Sequence, residues 1–226
     1  MQEPLPQPFG PPAAPVASIT TTQPYNSVAT MGKILMALLG IGAFVDLMSI
    51  FFSGLQLSSG VTASSEMQQM MIGLLQLLVF LITAILFLFW MHRAYSNLKS
   101  FGATDLGFSP GWAIGYFFVP FLNLWKPFEA MSEIWKASDP NTRVDASGQW
   151  KSAATGALLN AWWIMWLVSN IAGQVVMRTS LEADQPAEVL SATRVAMIAD
   201  LLGVFSAILA LLVVSEVTRR QEEKHR

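Results

Sequence analysis

The chain has no cysteine, only two histidines (His92 and His225) and few charges, which make up 12% of its 226 residues. Each scarcity excludes something. Without cysteine there can be no disulfides, thiolate zinc sites, cysteine-ligated iron–sulfur clusters or cysteine nucleophiles. The histidines show no HExxH or other paired spacing, so no transition-metal site or cofactor is expected. A net charge of −2 leaves no basic face for nucleic acid. No Gly-x-Ser-x-Gly, phosphate loop or nucleotide fingerprint is present. The chain is not expected to be an enzyme.

What it has instead is apolar residues, 53% of the chain, blocked into long runs. A bilayer core needs about 20 mostly apolar helical residues, because unpaired backbone amides are costly in hydrocarbon. Four runs qualify: Ile34–Leu55, Met70–Met91, Ala153–Val176 and Val195–Val217. The sequence thus predicts an all-α membrane protein with four transmembrane helices over residues 31–219. Residues 1–30, rich in Pro and then in Ser and Thr, are expected to form a disordered tail, since they cannot bury enough apolar surface to order. They lack the basic start and early apolar run of a secretory signal.

Lys and Arg near span ends set orientation, because they resist translocation. The first loop has neither and carries only Glu66. The second holds Arg93, Lys99, Lys126, Lys136, Arg143 and Lys151; the third has only Arg178 and Arg194 at its edges; residues 220–226 form a charged tail. This pattern predicts a multi-pass cell-membrane protein with both termini cytoplasmic. Trp112–Trp125 is apolar but short and interrupted by Pro120, which suits a re-entrant or interfacial element on the cytoplasmic side.

Ser109-Pro110 reads as a helix start, with Ser capping free amides and Pro in the first turn, and Pro120 should end that helix. Lys126-Pro127 starts a second, to about Ser138. In it Phe128, Met131 and Trp135 form one apolar stripe, suiting an amphipathic helix at the headgroups or a helix that binds a partner. Trp90, Arg93 and Asn97 share a face at the end of span two, where Arg93 could pair with Glu129 or Glu133 or reach lipid phosphates. Trp90, Arg93, Asn97, Trp112, Pro120, Asn123, Trp125, Pro127, Glu129, Glu133 and Trp135 together make a candidate cytoplasmic platform.

Trp90-x-x-Arg93-x-x-x-Asn97, Phe108-Ser109-Pro110-Gly111-Trp112-Ala113-Ile114-Gly115, Phe118-Val119-Pro120, Asn123-Leu124-Trp125, Pro127 and Glu133-Ile134-Trp135 carry a resemblance. They resemble the bacterial membrane family catalogued as domain of unknown function 4328, over roughly Met31 to Arg219. The resemblance implies a small multi-span protein of the bacterial inner membrane, often behind a Pro-rich tail. It transfers no catalytic residue.

Ionisable residues within a span are costly and are functional candidates. There are two, Asp46 and Asp200, about 13 and 9 Å below the outer ends of their spans at 1.5 Å per residue. Gly156, Asn160, Trp163, Leu167, Asn170 and Gln174 form one stripe on span three. Gln76 lies in the same outer half, and Gly42, Asp46, Ser49 and Ser53 share a face of span one. Asp46, Gln76, Asn170, Gln174 and Asp200 are therefore the candidate ligand or ion cluster, unless they serve only as interhelical glue. Arg178 or Arg194 could instead neutralise Asp200. Two functions compete. One is a non-catalytic sensing, scaffolding or assembly module, meeting a protein partner through the tail or second loop. The other is a small transporter or channel subunit, which would need to form a homo-oligomer.

Overall fold

A computed structural model describes residues 24–145 and 147–226, all helix, turn and loop. The six α-helices among the described residues are α1 (Ala29–Ser59), α2 (Ala63–Ser96), α3 (Pro110–Gly115), α4 (Lys126–Ala137), α5 (Ala157–Glu182) and α6 (Pro186–His225). α1, α2 and α6 are each long and apolar enough to cross a membrane, by length and composition. α5 runs 26 residues, but Trp162, Trp163, Asn160, Asn170 and Gln174 dilute its apolar content.

Local chemistry sets the turns. Gly60, at φ 85°, ends α1, and Thr62 caps α2 by accepting from the Ser65 amide while Ser65 bonds back. At the other tight turn Pro186 takes the first position of α6, with Gln185 and Glu188 in a reciprocal cap. α1 packs against α6 on one side and α2 on the other, and α5 packs against α6. Two glycines permit the α1–α6 approach. A Cβ on Gly32 would stand 2.6 Å from Thr218 Oγ1, and one on Gly203 would stand 2.8 Å from Asp46 Oδ2.

The buried core lies at one end of the bundle, where Trp90, Tyr95, Met131, Ile134, Trp150, Leu159, Trp162 and Val217 meet. Elsewhere the long helices leave apolar side chains uncovered, among them Leu74, Leu78, Phe80 and Ile85 of α2. Exposure on that scale marks a lipid-facing surface rather than a soluble one.

Several expectations need correction. The third long helix begins at Ala157, not Ala153, because residues 149–152 form a 3-10 turn and Gly156 precedes the helix. The charged residues 220–225 are the last turns of α6, which continues to His225. Of the expected disordered tail, residues 1–23 lie outside the described residues, whereas 24–28 are docked and 29–30 already belong to α1.

The segment expected at the headgroups divides in two. α4 is not a surface helix: Pro127, Ala130, Met131, Ser132, Ile134, Trp135 and Ala137 are all buried, so its covered arc is wider than the expected stripe. The preceding stretch is the opposite. Ser109 caps α3 through the Trp112 amide as expected, and Pro120 follows a short 3-10 turn. Pro120 O then accepts from the Leu122 amide at 2.8 Å, closing a γ-turn around Phe121, whose φ is 64°. Phe121 is 78% exposed and Phe118 72%, and Trp112, Leu124 and Trp125 are exposed beside them.

Candidate functional site

Two regions carry the polar chemistry. At the core-bearing end, the described N-terminal segment and the last turns of α6 come together. Glu222 accepts from the Tyr25 hydroxyl at 2.9 Å, the Ser27 hydroxyl, and the Val28 amide at 3.1 Å. Burial pushes the Glu222 carboxyl up, but these hydrogen bonds outweigh it and hold it below its ordinary range. Asn97 clamps Asn26 by its backbone, accepting from its amide at 3.0 Å and donating to its carbonyl at 2.8 Å. Tyr25 stacks on His225 with ring centres 4.1 Å apart.

Beneath this dock, Gln221 is fully buried and fully used. It accepts from Asn97 Nδ2 at 3.0 Å and donates to Ala94 O at 2.9 Å and Ser138 Oγ at 3.0 Å. One amide therefore ties α2, α6 and the end of α4. Trp90 Nε1 donates to Thr218 Oγ1 at 3.2 Å, a second tie from α2 to α6. Arg220 lies over the Trp135 ring at 4.2 Å, and Gly156 faces that ring so closely that a Cβ would stand 2.5 Å from it.

Of the two alternatives for Arg93, the pairing with Glu129 or Glu133 is not made. Arg93 donates to Ser27 O at 3.1 Å, Glu129 pairs with Lys126 at 2.7 Å, and Glu133 accepts from the Tyr95 hydroxyl and the Gly107 amide. Of the expected platform, Trp90, Asn97, Pro127 and Trp135 are buried in this cap, while Trp112 and Trp125 are exposed beside it with Pro120 and Asn123 in the turns between. Two shallow clefts flank α4, about 410 and 310 Å³, and neither includes Asp46 or Asp200 in its lining.

Toward the opposite end, a polar seam runs where α1, α2 and α6 face one another. Gln56 donates to Ser65 Oγ at 3.2 Å and accepts from Thr193 Oγ1 at 3.2 Å; Gln69 donates to Ser53 Oγ at 3.1 Å. Deeper in the bundle Gln76 Nε2 donates both hydrogens to acids, to Asp46 Oδ1 at 2.9 Å and Asp200 Oδ1 at 3.0 Å. The two carboxylate oxygens thus lie within about 6 Å of each other, as bonds to one shared nitrogen require. The other oxygen of Asp200 is buried without a hydrogen-bond partner, and neither Arg178 nor Arg194 pairs with it among the described residues.

Chain 53–219 matches the family described as Domain of unknown function (DUF4328). The chain belongs to that family. The DUF4328 match takes in the cap, Gln76 and Asp200, but begins at Ser53, leaving Asp46 outside it and starting later than the expected Met31. No curated protein and no solved structure matches the chain.

Three of the five cluster candidates therefore meet, and two do not. Asn170 turns its amide back to Trp166 O at 2.7 Å, and it and Gln174 are exposed on the outside of α5. Sequence reasoning also missed partners. Ser65, Gln69 and Gln76 recur at steps of four and seven on α2, and Thr193 stands seven residues before Asp200; that spacing was the available signal. Gln221 and Glu222 gave none, because their partners lie 83 or more residues away.

Proposed function

We propose that this DUF4328 protein is a four-span integral membrane protein of the bacterial inner membrane, with both termini cytoplasmic, that works as a non-catalytic sensing or assembly module. The observation that carries this reading is the buried Gln221 amide and the adjacent Glu222 dock, which join the N-terminal segment, α2, α4 and α6 in one cap. A partner held by the Pro-rich residues before Pro24 would bear directly on two membrane helices.

Parity supports the fourth crossing. Tyr25 and Glu222 meet, so α1 begins and α6 ends at one face of the bundle, and an even number of crossings must separate them. α1, α2 and α6 supply three. α5, at 26 residues and about 39 Å, is long enough to supply the fourth. The basic residues of the second loop and of the last turns of α6 gather at the cap, which favours that face as cytoplasmic. There the exposed Trp112, Phe118, Phe121, Leu124 and Trp125 would sit in the inner leaflet as an interfacial element.

The test compares the full chain with one beginning at Pro24, each affinity-purified from its native membranes. A defined partner that follows the full chain and is lost with the truncation is the expected result. Identical protein content in both purifications counts against the reading.

A second reading rests on the Asp46–Gln76–Asp200 bridge, which suits a small transporter or channel subunit handling protons or cations. It predicts flux in liposomes that vanishes in Asp46→Asn.

A further inference from the structure

Asn170 and Gln174 stand one turn apart on α5, with Gly173 between them and Met177 beyond; all four are exposed. Steps of three and four residues place them on the helix face that also carries Trp163 and Trp166. Near the cap that face is covered, with Phe117 5.9 Å from the Trp166 ring and Phe128 5.9 Å from the Trp163 ring. Farther along it is bare. A Cβ added to Gly173 would meet no atom within 4 Å.

A bare amide is unremarkable in water and costly in hydrocarbon, where nothing else can hydrogen-bond to it. Asn170 lies thirteen residues into α5, roughly 20 Å from its start, and Gln174 roughly 26 Å, both inside a core about 30 Å thick. Lipid tails cannot satisfy either group. Asn170 uses a donor on its own helix, which leaves its carbonyl oxygen and the whole Gln174 amide facing outward.

We propose that this stripe is where α5 pairs with α5 of a second copy of the chain. Copies inserted the same way up are related by a two-fold axis along the membrane normal, so like residues meet at one level. An amide carries both donors and an acceptor, and Asn170 and Gln174 can therefore each bond the same residue of the partner. Gly173 lets the two backbones approach closely enough for those bonds to form. The stripe is its own complement, and no further chain is required. The proposal rests on the reading that α5 crosses the bilayer.

Because the chain has no cysteine, a single introduced thiol reports one position. Met177→Cys and, as control, Phe80→Cys on the exposed face of α2 would be reconstituted as full chains at low density in phosphatidylcholine vesicles and oxidised. The expected result is a disulfide dimer for Met177→Cys at about fivefold or more over the control. Adding Asn170→Leu and Gln174→Leu should lower that dimer by about fivefold or more, as interhelical bonds near 1 kcal/mol each imply. Circular dichroism and melting in detergent should show all variants folded, since none of these side chains is buried. Cross-linking no better than the control, or unchanged by the amide substitutions, overturns the pairing. Labelling of Asn170→Cys by a water-soluble maleimide separates the two readings. Labelling as fast as at Ala183→Cys, in the turn before α6, would remove α5 from the bilayer and overturn both. Protection without cross-linking overturns the pairing alone.

Discussion

Gln221 and Gln76 are the same side chain used in opposite ways, one at the cap and one deep in the bundle. Gln221 is surrounded by neutral groups, gives both hydrogens to a carbonyl and a hydroxyl, and accepts from Asn97. Gln76 gives both hydrogens to carboxyls, one of which keeps an unpartnered buried oxygen. The first arrangement is complete, so it holds helices in place and has nothing left to bind. The second is incomplete, with one Asp200 oxygen left buried and without a hydrogen bond. The difference teaches that Gln221 works as a lock, whereas the Gln76 bridge leaves one oxygen unpaired, as the Trp150 indole nitrogen is left at the cap.

That contrast can be broken by substitution. Trp90→Ala removes a fully buried ring and its bond to Thr218, and should cost about 3–5 kcal/mol in detergent unfolding. Gln221→Leu leaves Asn97, Ala94 and Ser138 without their shared partner and should cost about 1–3 kcal/mol by the same measurement. Gln76→Leu should cost only about 1 kcal/mol, the scale of an interhelical hydrogen bond in a membrane. Equal losses for the two glutamine variants would erase the distinction between lock and seam. Asp46→Asn keeps a polar group opposite Gln76 and should melt within about 1 kcal/mol of the parent. If both Asp46→Asn and Asp200→Asn match the parent in melting and in liposome flux, the seam is glue and nothing more.

The smallest effect concerns the dock. Hydrogen bonds from Tyr25, Ser27 and Val28 hold Glu222 below its ordinary range, so its contribution is fully present above that ordinary range and is lost as pH falls from there through the lowered range of the folded state. Glu222 is only partly buried, and solvent screening keeps the effect modest. Protection factors at residues 25–28, exchange rates corrected for the intrinsic pH dependence, should therefore fall on acidification, and Glu222→Gln should show low protection at neutral pH. An N-terminal segment equally protected in both would mean that the Asn97 clamp alone secures it.

The long helices were legible because apolar runs of this length have few other uses, and the α3 start was legible in Ser109-Pro110. The meeting of Asp46, Gln76 and Asp200 was legible from depth and face together. The direction in which α5 faces was not. A polar stripe tells which residues share a side of a helix, but rotation about the axis is set by the Trp163 and Trp166 contacts with Phe117 and Phe128, between residues far apart in sequence. Asn170 and Gln174 were thus grouped correctly with each other and wrongly with the acids. The dock was invisible for the same reason, since a glutamate in a charged C-terminal stretch reads as solvated until its distant partners are known.

Phe121 sets local comfort against fit. Its backbone occupies a region that suits glycine, yet the residue there carries one of the largest and most exposed side chains in the chain. Phe121→Gly should relax the turn and raise the melting temperature in detergent, while weakening the hold of that edge on a lipid surface. A change that improves the isolated protein would then impair the installed one. Screens for thermostability would favour that substitution, whereas selection in a membrane would reject it.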